Sequence, residues 1–205
     1  MTQLDPKVPP THFDQGLYDL GKSGGLRVGY LESLPSVPVG DAVRRVMREA
    51  RTALEGMGHK VGEIQITTDQ VMEARRLYLG LVINYFMGPS LEELRKNYEE
   101  PISSYLFIER YFNSPYFFRP YVLLKLWLSG ERRSYQRLSQ IRRYTKAELD
   151  RLVYELAQFQ SELYQTIFSE FDVVVAPDYH HCAFTHTLHH TLDGLLDYQV
   201  LWSLL

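Results

Sequence analysis

The apolar positions in the first third of the chain change period twice. Residues 26–33, "LRVGYLES", alternate in the manner of a short β-strand, and residues 59–66, "HKVGEIQI", predict a second strand. Between them, residues 39–57 carry apolar side chains at helical spacing: Val43, Met47, Ala50 and Leu54. A helix of this length between two strands predicts a right-handed parallel pairing, so residues 26–66 are predicted to form a strand–helix–strand unit of an α/β protein.

The pattern continues into a long helix and a third strand. Thr145 and Glu148 have the spacing of a capping box, which predicts a helix from Lys146 to about residue 170. The run "FDVVVAPD" that follows, residues 171–178, is continuously apolar, as in a buried parallel strand. Residues 145–178 are therefore predicted to be a long helix and a buried strand. Residues 1–25, rich in proline and glycine, predict an extended lead-in.

Residues 114–133, "SPYFFRPYVLLKLWLSGERR", form the most apolar stretch outside these elements. Pro120 suits a first helical turn and Gly130 a C-terminal cap, which leaves a helix of about ten residues, too short to span a bilayer. Its composition is that of an interfacial helix, although a buried core helix is the alternative. The residues that would form a membrane-facing cap are Phe117, Phe118, Tyr121, Leu124, Trp127 and Leu128.

The last residues, 192–205, predict a short apolar helix, "LDGLLDYQVLWSLL". No residue after it could cover its apolar side chains, so we expect an exposed apolar surface unless more chain or a partner packs there. On this pattern we expect the chain to be truncated.

Composition excludes several classes of protein. The 205 residues are 45% hydrophobic and 23% charged, with a net charge of −3, which is ordinary for a globular domain. The basic residues look scattered, so we predict no nucleic-acid partner. No window of about 20 residues lacks charges, so no membrane span is predicted, and the single cysteine, Cys182, is compatible with a reducing compartment.

The only concentrated set of metal-ligating side chains is "DYHHCAFTHTLHH", residues 178–190. Imidazole and thiolate suit zinc, but the spacing matches no common site, and a polar loop after a buried strand is the favoured interpretation. The sequence has no nucleophile elbow, phosphate-binding loop or dinucleotide fingerprint. We therefore predict no metal and no cofactor, and the residues alone give no complete catalytic set.

Several stretches together resemble the fatty acid amide hydrolases of the amidase signature family. They are the lead into "LRVGY", the helix "VRRVMREARTALEGMGHKV" (43–61), the strand "FDVVVAPD", and the end "DYQVLWSLL", in the family's order. The resemblance implies that residues 1–205 form a partial amidase fold, α/β and helix-rich, with a mixed twisted sheet covered by helices. It also implies amide hydrolysis by a serine activated through a second serine and a lysine. The family places those residues in a lysine segment and a Gly/Ser-rich loop that this sequence lacks, so no catalytic residue is assigned and we expect the chain alone to be inactive.

The resemblance implies two further features of function. Residues 102–133 would be a hydrophobic helical cap that docks on a membrane, and Tyr198, Leu201 and Trp202 would line the substrate channel, with core packing as the alternative for these three. Gln199 and Ser203 depart from the Thr and Asn of the family motif. The implied substrate is a fatty acyl amide, and the implied location is intracellular, either peripheral on the cytoplasmic face of endomembranes or cytoplasmic. A homodimer is left open, and the alternative function is a non-catalytic lipid or membrane-surface binding protein.

Overall fold

The computed structural model describes residues 14–101, 103–183 and 195–204. In chain order the elements are α1 (Gln15–Ser23), β1 (Arg27–Tyr30), α2 (Asp41–Gly56), β2 (Lys60–Glu63), α3 (Thr68–Val82), a π-helical turn (Ile83–Met87), α4 (Gly88–Lys96), α5 (Ser103–Asn113), a 3₁₀ turn (Tyr116–Phe118), α6 (Arg119–Leu128), α7 (Arg132–Gln140), α8 (Lys146–Phe168), β3 (Val173–Val175) and α9 (Leu195–Ser203). The protein is thus helix-rich α/β, as predicted, and consistent with a partial amidase fold.

The three strands form one parallel sheet in the order β2–β1–β3. Val28, Gly29 and Tyr30 are buried because β1 has a neighbour on each side. The pairing of β1 with β2 across α2 confirms the predicted strand–helix–strand unit. The prediction of a buried third strand is wrong in one respect: β3 is only half-buried, because within the described residues it pairs with β1 alone and lies at the sheet edge.

Phe171, just before β3, explains why two neighbouring strands carry glycine at the same level. A Cβ atom on Gly29 would lie 2.9 Å from the ring of Phe171, and one on Gly62 would lie 2.8 Å from it. Gly29 and Gly62 are paired in the β1–β2 register. The ring therefore lies directly over the backbone of both strands, in space that only glycine leaves open.

The lead-in differs from the extended segment predicted for residues 1–25. Residues 1–13 lie outside the described part, but residues 15–23 form α1, which begins with a hydrogen bond from the Tyr18 amide to the Asp14 carbonyl, 3.1 Å. The helix ends at Ser23, and the next residue, Gly24, has a φ of +80°, which is accessible to glycine at little cost. The glycine content that predicted a loop therefore terminates a short helix instead.

The main core lies between α3, α8, α9 and the loop after β1. Two helices of this core, α3 and α8, begin with the capping box that their sequences carry, Thr67 with Gln70 and Thr145 with Glu148, which confirms the prediction for α8. The apolar terminus 192–205 was expected to be uncovered, and this is wrong for α9. Three of its apolar side chains are buried because the helix packs against α3 and the loop after β1: Tyr198, Val200 and Leu201. Leu204, just after the helix, is buried as well.

A second, smaller core joins α5, α6 and α7. Its buried members are Ile83, Tyr111, Leu138 and Ile141, and the inward side chains of α6 pack against them. The predicted helix between Pro120 and Gly130 is confirmed as α6, with Pro120 in its first turn and Gly130 in a left-handed conformation, φ +78°, beyond its end.

Candidate functional site

The phenol of Tyr198 fixes α9 to the loop that follows β1. Its hydroxyl donates to the Val37 carbonyl at 2.6 Å and accepts from the Leu34 amide at 2.8 Å. The Tyr198 side chain is fully buried, and Leu34 and Val37 are buried as well. Because buried backbone groups must find partners, this hydroxyl satisfies a turn that has no strand or helix to pair with.

One residue earlier on α9, Asp197 forms a buried ion pair with Arg75 of α3. Arg75 donates to the carboxylate from Nε at 3.0 Å and also from Nη2, and the Asp197 side chain is only 2% exposed. The Ser36 hydroxyl lies 3.4 Å from the second carboxylate oxygen. Because the Arg75 guanidinium donates to this carboxylate through two of its nitrogens, the pair sets the position of α9 on α3.

This ion pair was not predicted from the sequence, although two signals for it exist. Asp197 is the single charge in the otherwise apolar or neutral stretch of residues 194–205. Arg75 precedes Arg76 within the apolar pattern of α3, where the neighbouring Ala74 and Leu77 are buried. A charge on the inward face of each of two helices indicates a pair, but only the packing shows that the two charges meet.

The three predicted channel residues have different environments. Tyr198 and Leu201 are fully buried in the main core, whereas Trp202 is half-buried and packs against its edge. The indole Nε1 of Trp202 is buried and has no acceptor among the residues that the structure describes. Trp202 is therefore the member of the set with an unused hydrogen-bond donor next to apolar surface.

The loop after β1 is also fixed to α2. Arg48 donates to the Glu32 carboxylate from Nε and Nη2, both at 3.1 Å. The hydrogen bonds from Arg48 hold the pKa of Glu32 below its ordinary value, and Arg44 adds a weaker attraction. The loop that contacts α9 through Leu34 and Val37 is therefore also held by α2, through Glu32.

The six predicted cap residues all lie on the outside of the protein. Their exposed fractions run from 52% to 73%: Phe117, Phe118, Tyr121, Leu124, Trp127 and Leu128. We call these six residues the α6 apolar surface. The opposite side of α6 carries Val122, Leu123 and Leu126, which pack on the second core. The helix is thus apolar on both sides, and the two alternatives for it, core helix and interfacial helix, each describe one face.

Arg119, at the start of α6, makes its contacts with residues of α5. Its guanidinium lies 5.6 Å from the centre of the Tyr111 ring, and Nη2 donates to the Phe112 carbonyl at 2.8 Å. Burial raises the pKa of Tyr111, and the nearby Arg119 charge partly offsets that rise. Arg119 therefore fixes α6 on α5.

None of the helices that the structure describes is both long and apolar enough to cross a membrane.

Part of the histidine-rich segment lies outside the described residues, including His186, His189 and His190. In the part that is described, His180 accepts a hydrogen bond from the Gly40 amide through its carbonyl at 2.7 Å, and His181 packs beside Gly40. Cys182 is exposed. No group of three or more His, Cys, Asp or Glu side chains that could hold a metal occurs within residues 14–101, 103–183 and 195–204.

The fold and these sites define a helix-rich α/β chain with a buried anchoring helix, α9, and an exposed apolar surface on α6. The family model named Amidase matches residues 2–205, so the chain belongs to the amidase family, whose members are amide hydrolases. A comparison with curated proteins finds no match.

Proposed function

We propose that the chain is part of an amidase that hydrolyses fatty acyl amides, as the fatty acid amide hydrolases that it resembles do. The observation that carries the proposal is an exposed, largely aromatic surface on a member of an amide-hydrolase family. An amide with a long acyl chain is concentrated in membranes, so an enzyme that takes it up benefits from an apolar surface that contacts the bilayer. In this proposal the α6 apolar surface makes that peripheral contact.

The chemistry proposed for the family is acyl transfer. A serine oxygen attacks the amide carbonyl, the C–N bond breaks as the nitrogen takes a proton, and water then releases the fatty acid from the serine. The serine pair and lysine belong to motifs that do not occur in these 205 residues. We therefore propose that the chain by itself does not turn over a fatty acyl amide, and that it supplies acyl-chain and membrane contacts.

In this proposal Trp202 is the contact to the substrate. Its unused Nε1–H is a donor that a carbonyl oxygen can satisfy, and its ring lies at the edge of the main core rather than inside it. Tyr198 and Leu201 act behind it, because both are fully buried and contact the protein interior.

The sequence has two tryptophans, which makes substrate contact measurable. In a Trp127→Phe variant, Trp202 is the only indole, and we expect a long-chain primary fatty amide to shift its emission while acetamide does not. The matched Trp202→Phe variant, which retains Trp127, should not show that shift in detergent-free solution. An unchanged Trp202 spectrum would contradict the substrate contact, and hydrolysis of the fatty amide by the chain would contradict the proposed inactivity.

Membrane contact is tested by Leu124→Glu combined with Trp127→Ser. Both side chains are more than half exposed, so the variant should fold normally. Removing about half of the burial free energy of each side chain, roughly 2–3 kcal/mol in total, should weaken binding to phosphatidylcholine vesicles about 30- to 150-fold. The matched control, Val153→Glu with Tyr154→Ser on α8, alters two similarly exposed apolar side chains and should leave binding unchanged.

Two outcomes of the vesicle experiment would favour other functions. A dimer in solution that dissociates in the Leu124→Glu/Trp127→Ser variant, without vesicle binding by the original chain, would make the α6 apolar surface a homodimer contact. Vesicle binding together with an unresponsive Trp202 would favour the second candidate, a non-catalytic membrane-surface binding protein. The exposed α6 apolar surface is the observation that supports this second candidate.

A further inference from the structure

The basic residues of the chain are concentrated in one segment, so the expectation that they are scattered is wrong. Residues 110–147 contain nine Lys or Arg and one Asp or Glu, a net charge of +8, whereas the whole chain carries −3. The rest of the chain therefore carries −11. This basic segment includes α6 and α7 completely, so the excess of positive charge coincides with the α6 apolar surface.

Two cations of the segment are exposed, one within α6 and one four residues after Leu128, the last member of the α6 apolar surface. Lys125 is exposed and lies between Leu124 and Leu128 on α6, and Arg132 is exposed at the first residue of α7, just after the Gly130 turn. Neither has a carboxylate within 4.0 Å in the parts of the chain that the structure covers. Arg142, in contrast, pairs with Glu148 at 3.2 Å.

We propose that the α6 apolar surface binds bilayers that expose anionic phospholipids, and that Lys125 and Arg132 provide the preference for them. This inference rests on the proposed membrane contact and adds its electrostatic selectivity. Aromatic and aliphatic side chains enter the interface between headgroups and acyl chains, while a lysine among them reaches back to the phosphate level with its flexible stem. Two cations without a carboxylate partner in the described residues, beside six exposed apolar side chains, match a surface that is both apolar and negative. An anionic bilayer has both properties, whereas an acidic protein surface is negative but not apolar.

The magnitude follows from the surface potential of an anionic leaflet. Each Lys or Arg near such a surface strengthens binding about fivefold, so Lys125 and Arg132 together contribute about twenty-five-fold. The contribution depends on salt, because the screening length falls from about 10 Å at 0.1 M ionic strength to about 3 Å at 1 M.

The test measures binding of the 205-residue chain to phosphatidylcholine vesicles with and without phosphatidylserine. We expect phosphatidylserine to strengthen binding and high salt to remove the gain. The variant Lys125→Gln with Arg132→Gln should lose about twenty-five-fold on the anionic vesicles and almost nothing on the neutral ones. The control Lys22→Gln with Lys60→Gln removes the same charge from exposed positions outside the basic segment and should retain the preference.

The outcomes separate this inference from the proposed function. Equal binding to neutral and anionic vesicles would overturn the preference and leave the membrane contact standing. Binding to neither would overturn both. If soluble polyglutamate bound as tightly as anionic vesicles, and Leu124→Glu with Trp127→Ser did not weaken vesicle binding, the segment would be a general polyanion site and the inference would be wrong.

Discussion

The anchoring of α9 predicts a large effect from removing a single oxygen atom. In Tyr198→Phe the ring stays in place, but the Leu34 amide and the Val37 carbonyl lose the hydroxyl that lies 2.8 Å and 2.6 Å from them. Both residues are at most 3% exposed, so water cannot easily replace the hydroxyl. Each buried group left without a partner costs about 1–3 kcal/mol, and the more apolar phenylalanine returns part of this cost, so we expect a net loss of about 2–4 kcal/mol in the free energy of unfolding.

Equilibrium unfolding in urea, followed by tryptophan fluorescence, measures this loss. The midpoint urea concentration should fall, while the slope of the unfolding free energy against urea concentration stays constant, because the surface exposed on unfolding is the same. The control is Tyr164→Phe on α8, whose side chain is 57% exposed and whose hydroxyl makes no hydrogen bond within the described part of the chain. A Tyr198→Phe variant as stable as the Tyr164→Phe variant, within about 0.5 kcal/mol, would refute the role of the hydroxyl as the anchor of α9.

Three further predictions concern stability. Asp197→Ala leaves the arginine of α3 buried without a partner and should cost about 3–5 kcal/mol, and a double-mutant cycle with Arg75→Met should show that much of this cost disappears once the arginine is also removed. Gly29→Ala should destabilise by about 1–3 kcal/mol because its Cβ would lie 2.9 Å from the ring of Phe171, whereas Gly56→Ala, with open space around it in α2, should be neutral or stabilising in the same thermal unfolding assay. Hydrogen bonds from two arginines hold the pKa of Glu155 below its ordinary 4.5, so the stability that this carboxylate contributes is present above pH 4.5 and is lost as the pH falls through the folded-state pKa. Glu155→Gln should therefore make the unfolding free energy less dependent on pH in that range. An unchanged dependence of the unfolding free energy on pH below 4.5 would contradict the pairing.

The local elements could be predicted because their signals lie within a few residues of each other. The capping box of Thr145 with Glu148 and the bounds of α6 between Pro120 and Gly130 depend only on neighbouring residues. The pairing of Arg75 with Asp197 could not be predicted, because 122 positions separate the two residues and nothing in either helix specifies the other. The half-burial of β3 has the same origin, since a strand's apolar run does not say how many neighbours it has.

The two faces of α6 explain why composition could not decide between a core helix and an interfacial helix. Leu123 and Leu126 pack on the second core, whereas Leu124 and Leu128 are 53% and 69% exposed. Substitutions on the inward face should therefore reduce stability, while those on the outward face should reduce only binding, because the folded protein does not bury them. The outward face consists of six large apolar side chains beside Lys125 and Arg132, two cations for which the described residues offer no carboxylate partner. The negatively charged bilayer that we propose as the partner would contact both parts of that surface, the apolar side chains with its interface and the cations with its phosphates.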